Sequence, residues 1–359
     1  MKYYIITGEP SGDIHAANLV NELNKKDPKS NVRAWGGERL ISEKVSLAKN
    51  IKETSFMGIW SVMLNLATIS SNLKFCKEDI LNFQPDALIL VDYPGFNLKI
   101  AEFAKRNHIK VFYYIPPKLW AWNKKRIRKI KKFIDHLLVI FPFEVEFYKE
   151  NGIEANYVGN PVLDEIKRTK DKFTLKTSKP IIALLPGSRK EEIKLILPEM
   201  LTLVDNYPNY TFVIAATNMF EEEYYQSFIK SENVKLLFNE TSGLLLNSEV
   251  ALVASGTATL EAALLKTPQI VCYKTNWITY LFAKLLVKIK YISLVNIILN
   301  KEVIKELIQS RLNKKNLKKE LDLLLFQKKN VLAEYARLIQ ALKKETPSRN
   351  AAKTIIESI

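Results

Sequence analysis

Short apolar runs that end in small-residue turns, each turn opening a helix, recur through both halves of this chain. Val250–Ala254 leads into Ser255-Gly256-Thr257-Ala258-Thr259-Leu260-Glu261 and then Ala262-Ala263-Leu264-Leu265, which stops before Pro268. An unbroken apolar run bounded by turn residues reads as a buried strand, and the stretch after the turn reads as a helix. Tyr3–Thr7 does the same into Gly8-Glu9-Pro10-Ser11-Gly12, where Asp13 opens a helix with Ala16, Ala17, Leu19, Val20 and Leu23 on its apolar positions. Val32–Trp35 leads into Gly36-Gly37, and Ile181–Leu185 into Pro186-Gly187-Ser188-Arg189. Strands joined through helices pair in parallel and are covered on both faces, so the pattern predicts an α/β chain with doubly wound parallel sheets. In such sheets ligands sit at the carboxyl ends of the strands. A small-residue turn there leaves unpaired N–H groups at the positive end of the helix dipole, which suits phosphate. Ser255, Gly256, Thr257 and Ala258 are candidates for that role, and Glu261, about one and a half turns further in, could accept from ribose hydroxyls. A tight strand-to-helix turn with an N-cap serine accounts for the same residues without any ligand.

The other expected strands are Ala87–Val91, Lys110–Ile115 and Leu137–Ile140 in the first half, and Thr211–Ala215, Lys235–Phe238 and Gln269–Tyr273 in the second. With 359 residues there is room for two cores. The charged, poorly periodic stretch Pro161–Lys179 is read as their connection, giving domains over 1–163 and 164–346. From about Asn300 the tail reads as helical, and its last helix, 347–359, is open to packing back on the first domain. The formal net charge of +16 favours anionic partners, although a lysine-rich proteome gives the same sum. Cys76 and Cys272 are far apart in apolar settings and read as free thiols of a cytoplasmic protein. Met1-Lys2-Tyr3 leads straight into a strand, so no signal peptide is expected. The three histidines do not cluster, no Asp-x-Asp occurs, and neither the P-loop nor the Gly-x-Gly-x-x-Gly pattern is present. No metal or cofactor is expected.

Three segments stand apart from the alternation. Between Glu53 and Lys74 there is no charged residue. Gly58, Ser61, Asn65, Thr68 and Asn72 form one polar stripe on an otherwise apolar helix over Thr54–Leu73, suited to a lipid surface, a partner or its own core. Trp277–Leu299 is apolar but interrupted by Lys284, Lys288 and Lys290, which favours a surface amphipathic helix over a membrane span. Lys124-Lys125-Arg126-Ile127-Arg128-Lys129-Ile130-Lys131-Lys132 reads first as a solvated helix face, then as a contact for anionic headgroups. A nucleic-acid patch comes last, and no nucleic-acid partner is expected.

Two Rossmann-like domains facing across a cleft is the GT-B arrangement of nucleotide-sugar enzymes. An ordered set of motifs goes further: Gly8-Glu9-Pro10-Ser11-Gly12-Asp13, Phe56-Met57-Gly58, Asp92-Tyr93-Pro94-Gly95-Phe96-Asn97, Leu119-Trp120-Ala121-Trp122 and Pro142-Phe143-Glu144. Leu185-Pro186-Gly187-Ser188-Arg189 and the Ala254–Glu261 stretch complete it. In this order the chain, from Gly8 to about Gln309, resembles the lipid-A-disaccharide synthases. The resemblance implies an inverting, metal-independent glycosyltransferase at the cytoplasmic face of the inner membrane. Its substrates would be UDP-2,3-diacylglucosamine and 2,3-diacylglucosamine 1-phosphate (lipid X), joined by a β-1,6 bond with release of UDP. Arg189 is then the candidate for the diphosphate, flanked by Gly187 and Ser188, because its planar fork matches phosphate oxygens. Asp92 is the candidate base for the attacking 6-hydroxyl, with a cap or turn carboxylate ahead of Pro94 as the alternative. Glu9 is the second choice, to orient the acceptor or assist the base, or only to shape the glycine loop.

The family pattern also implies a UDP-sugar role for Asn296, Glu306 and Gln309, the last two one helical turn apart. Here Val295 replaces a family proline, which loosens that loop, and Asn160 stands where many members carry histidine, which removes a titrating group. Oligomeric state is left open. Two rivals remain: a UDP-sugar 2-epimerase of the same fold, and a basic peripheral protein that binds membranes or nucleic acid through Lys124–Lys132.

Overall fold

Each apolar run read as a strand becomes a buried parallel strand, and the polar punctuation between them becomes the loops at the sheet ends. The computed structural model describes residues 1–51, 66–120, 126–169, 173–286, 289–344 and 346–359. The Phe56-Met57-Gly58 motif, residues 54–65 of the uncharged segment, Ala121-Trp122 and Lys124-Lys125 lie outside them. The chain divides into one unit of Met1–Asp164 with Lys344–Ile359, and another of Glu165–Lys343.

In the first unit the strands are β1 (Lys2–Ile6), β2 (Asn31–Gly36), β3 (Ser46–Asn50), β4 (Ala87–Val91), β5 (Lys110–Tyr114), β6 (His136–Val139) and β7 (Ala155–Tyr157). All pair in parallel, in the order β3-β2-β1-β4-β5-β6-β7. Between them run helices α1 (Pro10–Lys26), α2 (Glu38–Ser42), α3 (Leu66–Phe83), α4 (Pro94–Arg106), α5 (Ile127–Phe133) and α6 (Pro142–Glu150), and α7 (Val162–Thr169) follows β7 and crosses from the first unit into the second. Proline opens α1, α4 and α6, where its missing N–H costs no hydrogen bond. Helix α5 buries Ile127, Ile130 and Phe133 and turns Arg128, Lys129, Lys131 and Lys132 outward.

The second unit has β8 (Ile181–Leu185), β9 (Thr211–Ala216), β10 (Val234–Phe238), β11 (Val250–Ala254), β12 (Gln269–Tyr273) and β13 (Glu306–Ile308), all parallel, in the order β10-β9-β8-β11-β12-β13. Its helices are α8 (Lys190–Leu201), α9 (Glu222–Gln226), α10 (Thr241–Leu246), α11 (Thr257–Leu264), α12 (Trp277–Leu286), α13 (Leu294–Leu299) and α14 (Lys314–Ala341). Helix α15 (Pro347–Ser358) belongs to the first unit and packs along α1 through Ala351, Ala352 and Ile355, all fully buried. In both sheets the strand order reverses beside the first strand, between β1 and β4 and between β8 and β11. These switch points open a crevice at the strands' carboxyl ends.

The structure corrects the reading in three places. The tail is not helical from Asn300: Glu306–Ile308 is a strand, and α14 starts at Lys314, where Asn313 Oδ1 accepts from the N–H of Asn316 at 3.0 Å. The stretch after Pro161 is not irregular throughout, because Val162–Thr169 is helical. Strands β3, β7 and β13 had no apolar run to announce them, since each is partly exposed and at a sheet edge and the last two are only three residues long. Cys76 and Cys272 are free and buried. Among the described residues no helix is long and apolar enough to cross a membrane.

Candidate functional site

At the switch point of the first sheet, the loop after β1 and the turn after β4 interlock. A Cβ on Gly8 would lie 2.3 Å from the Tyr93 ring, so only glycine lets the two approach this closely. Asp92 and Tyr93 both adopt left-handed backbone, with φ of 48° and 50°. Two successive non-glycine residues in that region carry strain that the surroundings must hold. Here the Asp92 carbonyl accepts from Asn97 Nδ2 at 2.7 Å and from the Tyr113 hydroxyl at 2.8 Å. Asn97 is fully buried and also reaches the Val91 carbonyl at 3.4 Å. The turn therefore aims the Asp92 side chain from a fixed backbone.

Burial pushes the Asp92 carboxyl up to about 6, the negative charge of Glu9 adds to this, and Lys118 opposes it. A carboxylate in that range is ionised at neutral pH yet basic enough to take a proton. Glu9, half-buried at the N-cap of α1, is the second acid of this loop pair.

The sequence signalled Glu144 only as part of a motif. It is buried, and it accepts from Trp120 Nε1 at 3.1 Å and from the N–H groups of Ile140 and Phe141 at 3.2 and 3.0 Å. Burial raises its carboxyl to about 7, with those hydrogen bonds and Lys118 pulling the other way. Trp120 meets Phe143 edge to face at 5.1 Å, so Trp120 and the motif at 142–144 belong to one cluster. Exposed Lys118 thus acts electrostatically on both Asp92 and Glu144.

At the second sheet's switch point two loops leave the neighbouring strands β8 and β11. Gly187 has φ of 107°, and a Cβ there would strike Glu192 Oε2 at 2.4 Å. Ser188 and Arg189 follow it, both exposed, with Arg189 at the N-cap of α8. The guanidinium contacts Glu192 at 3.5 Å, a solvent-facing pair at the long limit that an incoming phosphate can replace. On the other loop the N-cap of α11 is Gly256, not Ser255. Ser255 Oγ instead donates to the Ile292 carbonyl at 3.3 Å. Gly256 and Thr257 are exposed, and nothing lies within 4 Å of where a Gly256 Cβ would stand, so the first turn of α11 opens onto free space, with Ala258 half-buried behind it. Glu261 Oε1 accepts from Ser242 Oγ at 2.6 Å, and burial raises its carboxyl.

Asn296, Glu306 and Gln309 form a scaffold under these loops. Glu306 and Gln309 are not one helical turn apart: the first lies in β13 and the second follows it with φ of 53°. Glu306 caps α13, accepting from the N–H groups of Ile292 and Ser293, from Ser293 Oγ at 2.7 Å and from Asn296 Nδ2 at 2.9 Å. Asn296 is fully buried. Its Nδ2 also donates to the Ile304 carbonyl at 2.8 Å, and its Oδ1 accepts from the N–H groups of Val303 and Ile304 at 2.8 and 3.0 Å. That fills its hydrogen-bonding capacity, so Asn296 offers no free group to a ligand. Gln309 clamps Thr275, accepting from its N–H and donating to its carbonyl, both at 2.8 Å. Val295 is fully buried in the first turn of α13, a helical position where proline also fits, so its presence does not loosen a loop. Asn160 is likewise structural: it is buried, and its Oδ1 accepts from the N–H of Val162 at the start of α7.

Each unit thus gathers its own set: Glu9 with Asp92 in the first, and Gly187–Arg189 with Ser255–Ala258 in the second. Among the described residues no group of three or more His, Cys, Asp or Glu side chains is placed to hold a metal ion.

The family model described as lipid-A-disaccharide synthetase matches residues 3–359. A lipid-A-disaccharide synthase of Syntrophus aciditrophicus is 37% identical over 330 residues, covering 88% of this chain and 86% of its own. One from Coxiella burnetii is 31% identical over 364 residues, covering 98% and 96%. Among solved structures, the glycotransferase of kitacinnamycin superposes with a TM-score of 0.71 at 11% identity, covering 100% of this chain and 98% of its own. The UDP-GlcNAc 2-epimerase of Neisseria meningitidis bound to UDP-GlcNAc gives a TM-score of 0.64 at 16% identity, covering 99% of each chain. These two share the fold, two parallel-sheet α/β domains of GT-B type.

Proposed function

We propose that this chain, which belongs to the lipid-A-disaccharide synthase family, is an inverting glycosyltransferase that joins UDP-2,3-diacylglucosamine to 2,3-diacylglucosamine 1-phosphate (lipid X). The first unit holds the acceptor and the second the sugar nucleotide. Asp92 takes the proton of the acceptor 6-hydroxyl as that oxygen bonds to the anomeric carbon, on the face opposite UDP. The bond from that carbon to the diphosphate oxygen breaks, and UDP leaves with the electron pair. The products are UDP and lipid A disaccharide 1-phosphate, with a β-1,6 bond. Charge that grows on the diphosphate is met by Arg189 and by the N–H groups of Gly256–Ala258, which leave no reorganisation to be done in the transition state. The Ser255 N–H is bonded to the Cys272 carbonyl at 3.2 Å. Glu9 keeps the Asp92 carboxyl basic, and Glu261 lies one turn into α11 for the ribose. Asn296, Glu306 and Gln309 position the donor loops. Neither metal nor cofactor has a step here, and the acylated substrates bring the protein to the cytoplasmic face of the inner membrane.

The observation that carries this reading is Asp92, held on a strained left-handed turn at the sheet's switch point with its carboxyl raised to about 6. The test is incubation with both acylated substrates in detergent, following UDP and a disaccharide phosphate. Absence of both products overturns it, and conversion of UDP-N-acetylglucosamine alone into its 2-epimer replaces it with the isomerase.

A further inference from the structure

Between β12 and α13 the chain makes an excursion that is tied down at both ends and faces outward in the middle. It starts where Gln309 clamps both backbone groups of Thr275. It returns where Glu306 accepts from the Ile292 and Ser293 N–H groups and Ser255 Oγ donates to the Ile292 carbonyl. Between these anchors lies α12. At about 100° per residue, Trp277, Ile278, Leu281 and Lys284 share one sector of the helix, roughly 120° wide. The first three are 65%, 72% and 60% exposed, and Lys284 is exposed beside them. Trp277 packs edge to face on Tyr280 at 5.7 Å, which holds the indole in place at the helix start. Three large apolar side chains side by side in water mark a surface built to be covered.

Charge decides what covers it. From Ala262 to Lys301 the sequence has no Asp or Glu but six lysines, at 266, 274, 284, 288, 290 and 301, of which Lys274 and Lys301 are paired with Glu199 at 2.6 Å and Glu334 at 2.9 Å. Lys284 and Lys290 are exposed. A helix with tryptophan and aliphatic residues on one face and exposed Lys284 and Lys290 on flexible stems around it fits the boundary between anionic headgroups and acyl chains. We propose that the outward face of α12 docks on an anionic lipid surface, which sets the loops stapled by Gln309 and Glu306 against the bilayer. The proposal names the contact surface for the membrane part of the function above and rests on that reading.

A single-site probe tests it. Leu281→Cys in the full chain takes an environment-sensitive thiol label selectively, because Cys76 and Cys272 are buried. Vesicles of phosphatidylcholine containing phosphatidylglycerol should blue-shift the label and shield it from acrylamide, and pure phosphatidylcholine should not. In sedimentation, Trp277→Ser/Ile278→Ser/Leu281→Ser should lower the apparent partition constant roughly tenfold, and Lys284→Glu/Lys290→Glu should remove much of its salt sensitivity. If the protein sediments with anionic vesicles while the label is unchanged, α12 is not the contact and membrane binding stands without it. If nothing sediments, both fall. A label that responds to rising protein concentration without vesicles overturns the proposal in favour of a second copy. UDP release in detergent reads the transferase independently of all these outcomes.

Discussion

Asp92→Asn keeps the left-handed turn, since asparagine accepts φ near 50° as readily as aspartate, and it removes the proposed base. The expected loss is on the order of 10²–10⁴ in kcat, checked by UDP release. In the parent protein the acid limb of kcat/KM should fall near pH 6, because Asp92 works only when ionised. The same group sets a stability difference. Its carboxyl is raised in the fold from 3.8 to about 6, so the folded state holds the proton more tightly than the unfolded chain. The resulting penalty is absent below pH 3.8, grows between the two values and is complete above about 6. Asp92→Asn should therefore stabilise the fold by up to ~3 kcal/mol at pH 8, read as a higher Tm, and leave Tm unchanged near pH 4. Arg189→Ala should behave oppositely: kcat falls roughly 10²–10³-fold, while stability shifts by no more than about 0.5 kcal/mol because the side chain is exposed. Near-parental turnover would remove Arg189 from the diphosphate site.

At the scale of elements, Asn296 separates scaffold from ligand contact. Asn296→Ala strips partners from two backbone N–H groups, a carbonyl and Glu306, and should cost on the order of 2–4 kcal/mol by denaturant unfolding. An unchanged unfolding midpoint with a raised donor KM would instead make Asn296 a ligand contact. The central strands are legible in the sequence because burial on both faces demands an uninterrupted apolar run, as in Val250–Ala254. Strands β3, β7 and β13 are not, because an edge strand needs few apolar residues. Loops at strand ends can also be read, which is how Glu9, Asp92, Arg189 and Ser255–Ala258 stand out. What cannot be read is the support beneath them. Glu306 and Gln309 are three residues apart, a spacing that fits a helix equally well, and only the backbone groups of Thr275, Ile292 and Ser293 reveal a strand followed by a left-handed turn. Tyr113, which fixes the Asp92 carbonyl, lies on another strand and has no local signal at all.

For the molecule as a whole, the first unit is discontinuous. The chain leaves it after Asp164 and returns at Lys344, and the two passages meet: Ser348 N–H donates to Asp164 Oδ2 at 2.9 Å, and Asn350 Nδ2 to the Val158 carbonyl at 3.0 Å. Gly159 lies under the returning chain, where a Cβ would stand 2.6 Å from the Lys344 carbonyl. Removing 347–359 uncovers the buried face of α1, so it should destabilise the first unit selectively. Limited proteolysis should cut within Met1–Asp164 while Glu165–Lys343 persists as a resistant fragment; equal resistance of both would refute this. The arrangement also orders events during synthesis. A ribosome makes 165–343 before it makes α15, so the second sheet can close while the first still waits for its last helix. The half proposed to hold the acceptor is then the last to mature, exposed meanwhile to chaperones and proteases for as long as it takes to translate the other half.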